Sequence, residues 1–299
     1  MIYILDSIWI NIYNTCIDYK ISNSNLFGLG IYITYFIFFY IHSWFFQLAD
    51  WYGFLNQYSI RNTHTTNNNN NNNNNIHNIH KIGTRRTPPL EDQWIGLKEC
   101  TIDILFIKPI LLYIMAPYML DYISFELILP STSIIVIDIF IMEIIFSTLF
   151  YFGHVIYHKI PFLYKNIHKK HHYFHESIAF TAQYFHVFES ICSICYLLLG
   201  ALIIKPHYIT FLIFLIFRFI EIVDAHCGYD IPWKCLYLWS DFYPWGLNGA
   251  RMHDFHHSHN IGAYGGGMIC WDYICGTDIN FRNFEKNRIA NSKSNSKSN

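Results

Sequence analysis

The chain has 299 residues, of which 53% are hydrophobic, 19% aromatic and only 14% charged, with a net charge of -1. That composition excludes an ordinary soluble domain and makes a lipid bilayer the natural solvent. With no basic stripe and no positive balance, there is no electrostatic case for binding nucleic acid.

The chain opens MIYILDSIWI, without a basic leader, so a cleaved secretory signal is not expected. Five apolar segments follow, at 26–46, 102–129 (interrupted by Lys108), 134–152, 188–204 and 208–223. A membrane span takes roughly 20 residues with about 17 as the lower limit, so the last two sit at that limit. Lys205-Pro206 reads as a tight turn between them, and Pro130-Ser131 as a similar turn between the second and third. Between the first two segments stand nine consecutive asparagines, Asn67 to Asn75, a low-complexity insert expected to be disordered. His64, His77 and His80 beside it would bind metal only weakly, because a flexible tract loses entropy on ordering. The closing NSKSNSKSN reads as solvated coil. The eight cysteines lack paired spacing, and Cys192 and Cys195 read as small apolar residues of a membrane helix.

Lysines and arginines decide the expected topology. Arg61, Lys81, Arg85, Arg86 and Lys98 lie in the loop after the first segment, Lys159, Lys165, Lys169 and Lys170 after the third, and Lys234 and Arg251 after the fifth. The first 25 residues carry only Lys20. The positive-inside rule puts all three basic regions on the cytosolic face.

Those same regions hold the histidines. Eight of the 17 fall into three clusters, His154/His158, His168/His171/His172 and His253/His256/His257, spaced H-x3-H, H-x2-HH and H-x2-HH. Residues three and four apart share a helix face, so each cluster is expected to present its imidazoles to a common point. Imidazole suits iron, zinc and copper, and eight nitrogens are enough for two ions that leave a position open. Zinc-protease chemistry needs Glu directly after the first His of H-E-x-x-H, and Val155 stands there. The expected architecture is an all-α integral membrane protein with four to five transmembrane helices and a cytosolic helical histidine-box domain holding a di-metal centre. Its expected parts are an N-terminal membrane segment with the asparagine-rich loop (1–101), a catalytic membrane domain (102–280) and a disordered tail (281–299).

The segments HVIYHKIPFLYKNIHKKHHYFHESIAFTAQYFHVFE, EIVDAHCGYDIPW and RMHDFHHSHNIGAYGGGMICWDYICGTD resemble the fatty acid hydroxylase superfamily of membrane di-iron enzymes, and within it the C-4 methylsterol monooxygenases. The resemblance covers about residues 130–280. It implies that His154 and His158, His168, His171 and His172, and His253, His256 and His257 are iron ligands. It adds His186 in QYFHVFE and His226 in DAHCG as further ligands; read alone, these two are equally hydrogen-bonded core histidines. Asp224 and Asp254 are candidate acceptors that fix ring tautomers, or else solvated or capping residues. The sterol branch commonly has Arg after the first box histidine, a histidine just before the third box's aspartate, and an acidic residue about eight positions before the first box. Val155, Met252 and Phe146 stand there instead.

The resemblance further implies two iron ions, electrons from NAD(P)H delivered by cytochrome b5 and its reductase, a sterol or other lipid substrate, and a multi-pass location in the endoplasmic reticulum membrane. No G-x-G-x-x-G follows a strand to bind a nicotinamide or flavin in this chain. Lys165, Lys169 and Lys170 offer a docking patch for an acidic haem protein, or a topology signal. Trp233, Trp239, Trp245 and Trp271 read as an interfacial belt or as sterol-steering residues. Gly265-Gly266-Gly267 reads as a tight turn after the third box, not a phosphate loop. Readings that keep the metal but change the outcome are a fatty-acyl or sphingolipid hydroxylase, a sterol desaturase, and a non-catalytic membrane metal-binding protein.

Overall fold

A computed structural model describes residues 2–60, 87–231, 249–267 and 270–297. The asparagine insert with His64, His77 and His80, and Trp233, Trp239 and Trp245, lie outside these residues. Among the described residues there are helices and two isolated bridges, and no strand. The helices are α1 (Ile2–Asp18), α2 (Asn23–Tyr52), α3 (Leu90–Tyr122), α4 (Thr132–Lys159), α5 (Pro161–Asn166), α6 (Val187–Ile204), α7 (Tyr208–His226), α8 (Gly249–His259), α9 (Trp271–Ile274) and α10 (Ile279–Lys297).

Four of them, α2, α3, α4 and α6, are long and apolar enough to cross a membrane. They match the first four expected segments, with shifted ends. The first runs on to Tyr52, where Gly53 at φ 74 closes it in the left-handed region that glycine tolerates. The second begins 12 residues earlier than expected and ends at Tyr122. Its Lys108 is accommodated because the ammonium meets Asp103 at 3.5 Å and lies 5.7 Å from the Tyr35 ring centroid. The third runs beyond its apolar stretch, so His154 and His158 lie on the spanning helix itself.

The fifth segment, α7, is of a different kind. It carries Arg218, Glu221 and Asp224, and it packs against α2, α4 and α8 as the central post of the bundle. Phe211, Phe214 and Val223 on it are completely buried, and Phe211 stacks on Phe27 of α2 at 6.1 Å. The outer helices instead turn Ile110, Tyr113, Ile114, Val136, Ile137 and Ile203 outward, each more than half exposed, as lipid-facing residues of a bundle are expected to be. Close approach of α4 to α6 depends on Gly200, where a Cβ would press on the Met142 backbone and side chain.

Residues 281–299 were expected to be disordered; the helix α10 runs to Lys297. Its first turns are anchored: Phe281 is fully buried against Phe255 of α8, and Glu285 takes Arg251 at 2.8 Å and Arg288 at 2.8 Å. Polar composition signalled coil, but one buried ring and one shared carboxylate hold the start of the helix.

Within the bundle Arg218 joins α7 to α4 by reaching Glu143 at 3.0 Å, and its guanidinium lies 4.0 Å from the Phe146 ring centroid. Both ion-pair side chains are almost wholly buried. Arg218 also holds the partly exposed Glu221 at 2.6 Å, so removing Glu143 leaves the guanidinium one carboxylate in place of two. Glu143→Leu is expected to cost about 2 kcal/mol, and Glu143→Leu with Arg218→Met to restore most of it. Thermal unfolding of the detergent-solubilised single and double variants checks this; additive losses would contradict it.

Candidate metal centre

Four elements converge where α4 leaves the bundle. The end of α4 supplies His154 and His158, and a short 3-10 helix, His168–Tyr173, supplies His168, His171 and His172. The last residue of α7 is His226, and α8 supplies His253, His256 and His257. The side chains sort into two adjacent groups. The first is His154, His158, His168, His172 and His256; the second is His171, His226, His253 and His257. Within each group one ring nitrogen per residue lies within 4.8 Å of all the others.

The spacing therefore works differently from the expectation. Neither H-x2-HH box points at one spot. His168 and His172, four apart, enter the first group while His171 enters the second; His253 and His257, four apart, enter the second while His256 enters the first. Adjacent residues project in divergent directions, so each box bridges the two groups and holds them side by side. The rings of His172 and His257 stack at 4.7 Å across the boundary.

Hydrogen bonds decide what the converging nitrogens are. His154 donates Nδ1–H to the Tyr264 carbonyl at 2.7 Å, His256 to the Gly262 carbonyl at 2.7 Å, His226 to the Ile222 carbonyl at 2.8 Å, and His168 to the Glu189 carboxylate at 2.7 Å. A neutral imidazole that donates from Nδ1 has only a lone pair at Nε2. Yet Nε2 of His154 and Nε2 of His168 are 3.0 Å apart, and Nε2 of His158 and of His172 are each 3.0 Å from that of His168. In the second group Nε2 of His253 lies 2.9 Å from that of His226 and 3.0 Å from that of His257. Where both Nδ1 protons are placed, as in His154 and His168, the facing Nε2 lone pairs 3.0 Å apart repel unless a cation lies between them. Nitrogens about 2.1 Å from an ion are about 3.0 Å apart at right angles and about 3.4 Å apart in a tetrahedron. The first group, with five imidazoles, exceeds the four ligands of a closed tetrahedral site and fits a five- or six-coordinate metal; the second offers four.

Burial, followed by the neighbouring imidazoles, pushes His171, His172, His253 and His257 well below the ordinary 6.5; burial and then His154 and His158 do the same to His256. His168 shifts the same way, through burial and then His154 and His256. They are kept neutral, as ligands must be.

The two histidines expected from resemblance alone divide. His226 joins the second group; His186 does not, because its ring accepts the Phe188 N–H at 3.2 Å and caps the start of α6. Of the expected acceptors, Asp224 faces His42 at 3.4 Å, and Asp254 lines a separate cleft with Arg251 and Ser258 on another side of α8. Backbone carbonyls and Glu189 orient four of the rings. Carbonyl acceptors have no sequence signature, but Glu189 had one: a lone carboxylate in the first turn of an otherwise apolar helix. The loop supplying Tyr264 and Gly262 is held by Asp272, which accepts the N–H of Tyr264 at 2.8 Å and of Gly265 at 2.6 Å. Gly262 sits there at φ 63 with the Thr277 carbonyl against it, so a side chain has no room. Of the three basic docking candidates, Lys170 is engaged with Glu99 at 2.6 Å.

A helical membrane bundle that gathers nine imidazoles into two groups able to hold a metal at one end fits a histidine-box metal site. Residues 139–277 match the family model described as Fatty acid hydroxylase. The chain is 35% identical to Methylsterol monooxygenase 2-2 of Arabidopsis thaliana over 52% of this chain and 57% of that protein. It is 33% identical to Methylsterol monooxygenase 1 of Danio rerio over 55% of each. Against Very-long-chain aldehyde decarbonylase GL1-11 of Oryza sativa subsp. indica it is 30% identical over 52% of this chain and 57% of that protein. The chain thus spans a little over half the length of the curated relatives it matches. No solved structure matches it.

Two outcomes are expected. Glu189→Leu removes the carboxylate behind His168 and should weaken metal retention by roughly 10–100-fold, read as the chelator concentration that strips half the metal. Metal-free protein should lose thermal stability as pH falls below about 6.5, because unfolded histidines take up protons there while the buried ones do not. Equal unfolding midpoints at about pH 8 and about pH 5.5 would contradict the second.

Proposed function

We propose that this chain is a membrane-bound non-haem di-iron oxygenase that hydroxylates an apolar lipid, with the C-4 methyl group of a sterol as its substrate. The observation that carries the proposal is the pair of lone-pair clusters, five nitrogens beside four, at the end of membrane helices. His154, His158, His168, His172 and His256 would hold one iron, and His171, His226, His253 and His257 the other. Bound iron would supply the power to reduce dioxygen and oxidise an unactivated C–H bond.

This chain's residues do the positioning. The carbonyls of Tyr264, Gly262 and Ile222 and the Glu189 carboxylate lock four rings in the ligating tautomer. Aromatic rings shield the groups from water: Tyr157 stacks on His168 at 5.4 Å, Phe150 lies 5.4 Å from His154, and Phe185 4.7 Å from His171. A lipid has a short approach, because Phe152 and Ile156 on the same turns of α4 as the ligands are about half exposed on the outer face. Electrons would come from NAD(P)H through cytochrome b5 and its reductase, with the histidine groups on the cytosolic face of the endoplasmic reticulum membrane. The cytosolic assignment rests on the lysines and arginines that cluster in the regions carrying the histidines.

A second reading keeps the metal and changes the substrate to a long acyl chain; the relative named as an aldehyde decarbonylase favours it. The test is a mass-spectrometric lipid profile of cells lacking the chain, rescued by the intact protein or by His171→Ala. Accumulated 4-methyl or 4,4-dimethyl sterols, cleared only by the intact protein, are the expected result. Unchanged sterols with loss of an oxidised acyl species would move the assignment to the second reading.

A further inference from the structure

The helix α1 is used by neither the metal centre nor the spans. It lies across the end of the bundle opposite the histidines. Tyr13 reaches Asn23 at the start of α2, Trp9 donates its indole N–H to the Glu126 carbonyl at 2.8 Å, and Asp6 accepts the Leu129 N–H at 3.0 Å. Trp9, only 2% exposed, also packs on Tyr208, the first residue of α7, and edge-on against His207. A helix touching the near ends of α2 and α7 and the loop before α4 in succession runs crosswise to them, so it is not a fifth span.

Its surface divides into three stripes. Asp6, Trp9, Tyr13 and Cys16, spaced i, i+3, i+7 and i+10, face the bundle. Ser7, Asn11, Asn14 and Asp18, spaced i, i+4, i+7 and i+11, form an exposed polar stripe. Leu5, Ile8 and Ile12, spaced i, i+3 and i+7, form an exposed apolar stripe between them, at 45%, 50% and 46% exposure. Ile17, in the last turn, falls outside it. One helix thus presents a protein face, a water face and an apolar face, and bears no charge on the last.

Depth supplies a second line of argument. The span α6 has 18 residues and so measures about 27 Å, close to the roughly 30 Å hydrocarbon thickness. Its far end leads through Lys205, at φ 56, into the His207 and Tyr208 turn on which Trp9 sits. A bundle of that thickness puts this turn, and α1 with it, at the boundary between acyl chains and headgroups. The apolar stripe is then continuous with the lipid-facing band of the spans.

We propose that α1 is an interfacial helix, lying in the plane of the membrane on the side opposite the metal groups, with Leu5, Ile8 and Ile12 in the acyl chains of a phospholipid leaflet and Ser7, Asn11 and Asn14 in water. It acts as a crossbar that sets how deep the bundle sits. Thr132 and His154 are 22 residues apart on α4, about 33 Å, so anchoring one end at one interface holds the histidines at the other.

The test is collisional accessibility of nitroxide labels on the full chain in phosphatidylcholine nanodiscs, with its native cysteines replaced and one label at residue 5, 7, 8, 11, 12 or 14. Labels at 5, 8 and 12 should be reached by dissolved oxygen and shielded from a water-soluble nickel chelate, and labels at 7, 11 and 14 the reverse. Uniform accessibility at all six positions overturns the proposal. So does shielding of 8 and 12 from both reagents, which would mean that a second copy of the chain covers the stripe. Should the cysteine-free chain not fold, the native chain is photolabelled in vesicles whose phospholipid carries a carbene precursor in its acyl chain. Adducts at Leu5, Ile8 and Ile12 support the proposal, and their absence there while the spans are labelled overturns it.

Discussion

Neutral imidazoles repel one another through their lone pairs, and nine of them are held within two small volumes. This constraint governs the molecule. Carbonyls behind His154, His226 and His256 and the Glu189 carboxylate behind His168 take the Nδ1 protons, so the Nε2 nitrogens of His154 and His168 meet without a hydrogen between them. Folding energy from the rest of the bundle must force that arrangement, and a cation there would reverse its sign. The carbonyl acceptors are therefore as much a part of the centre as the histidines.

The bundle is arranged to supply that force. The central helix α7 ends in His226, and α4, on which it packs, ends in His154 and His158, so both bring ligands to the same end. The Arg218–Glu143 pair and the Phe211–Phe27 stack lock α7 in register before its last residue reaches the metal site. The two H-x2-HH boxes then tie the groups together, because neighbouring histidines in each box diverge into different groups. Coupling of this kind means the two groups cannot be repositioned independently.

Much of this was legible in the chain. Apolar runs located the four spans, to within three residues at four of the eight ends and six to twelve at the others, since the bilayer imposes a minimum length that composition reveals directly. Box spacing identified eight of the nine gathered histidines, because i, i+3 and i+4 placement on a helix is a local property. Other placements needed the packed chain: the turn before α6 directs the His186 ring to the Phe188 amide. Asp224 and Asp254 lie near box histidines in the chain, but adjacent side chains on a helix point about 100° apart. At the start of α10, Phe281 and Glu285 meet α8.

Solvent, secondary structure and the kind of metal-binding side chain were determined by the sequence alone, because each depends on composition or on spacing within one helix. Which histidines share a group was decided only by the tertiary structure. So were the partnership of Glu189 with His168 and the crosswise placement of α1. Each of these depends on contacts between residues far apart in the chain, such as His256 with His172 and Trp9 with Glu126, whose geometry exists only after the helices have packed.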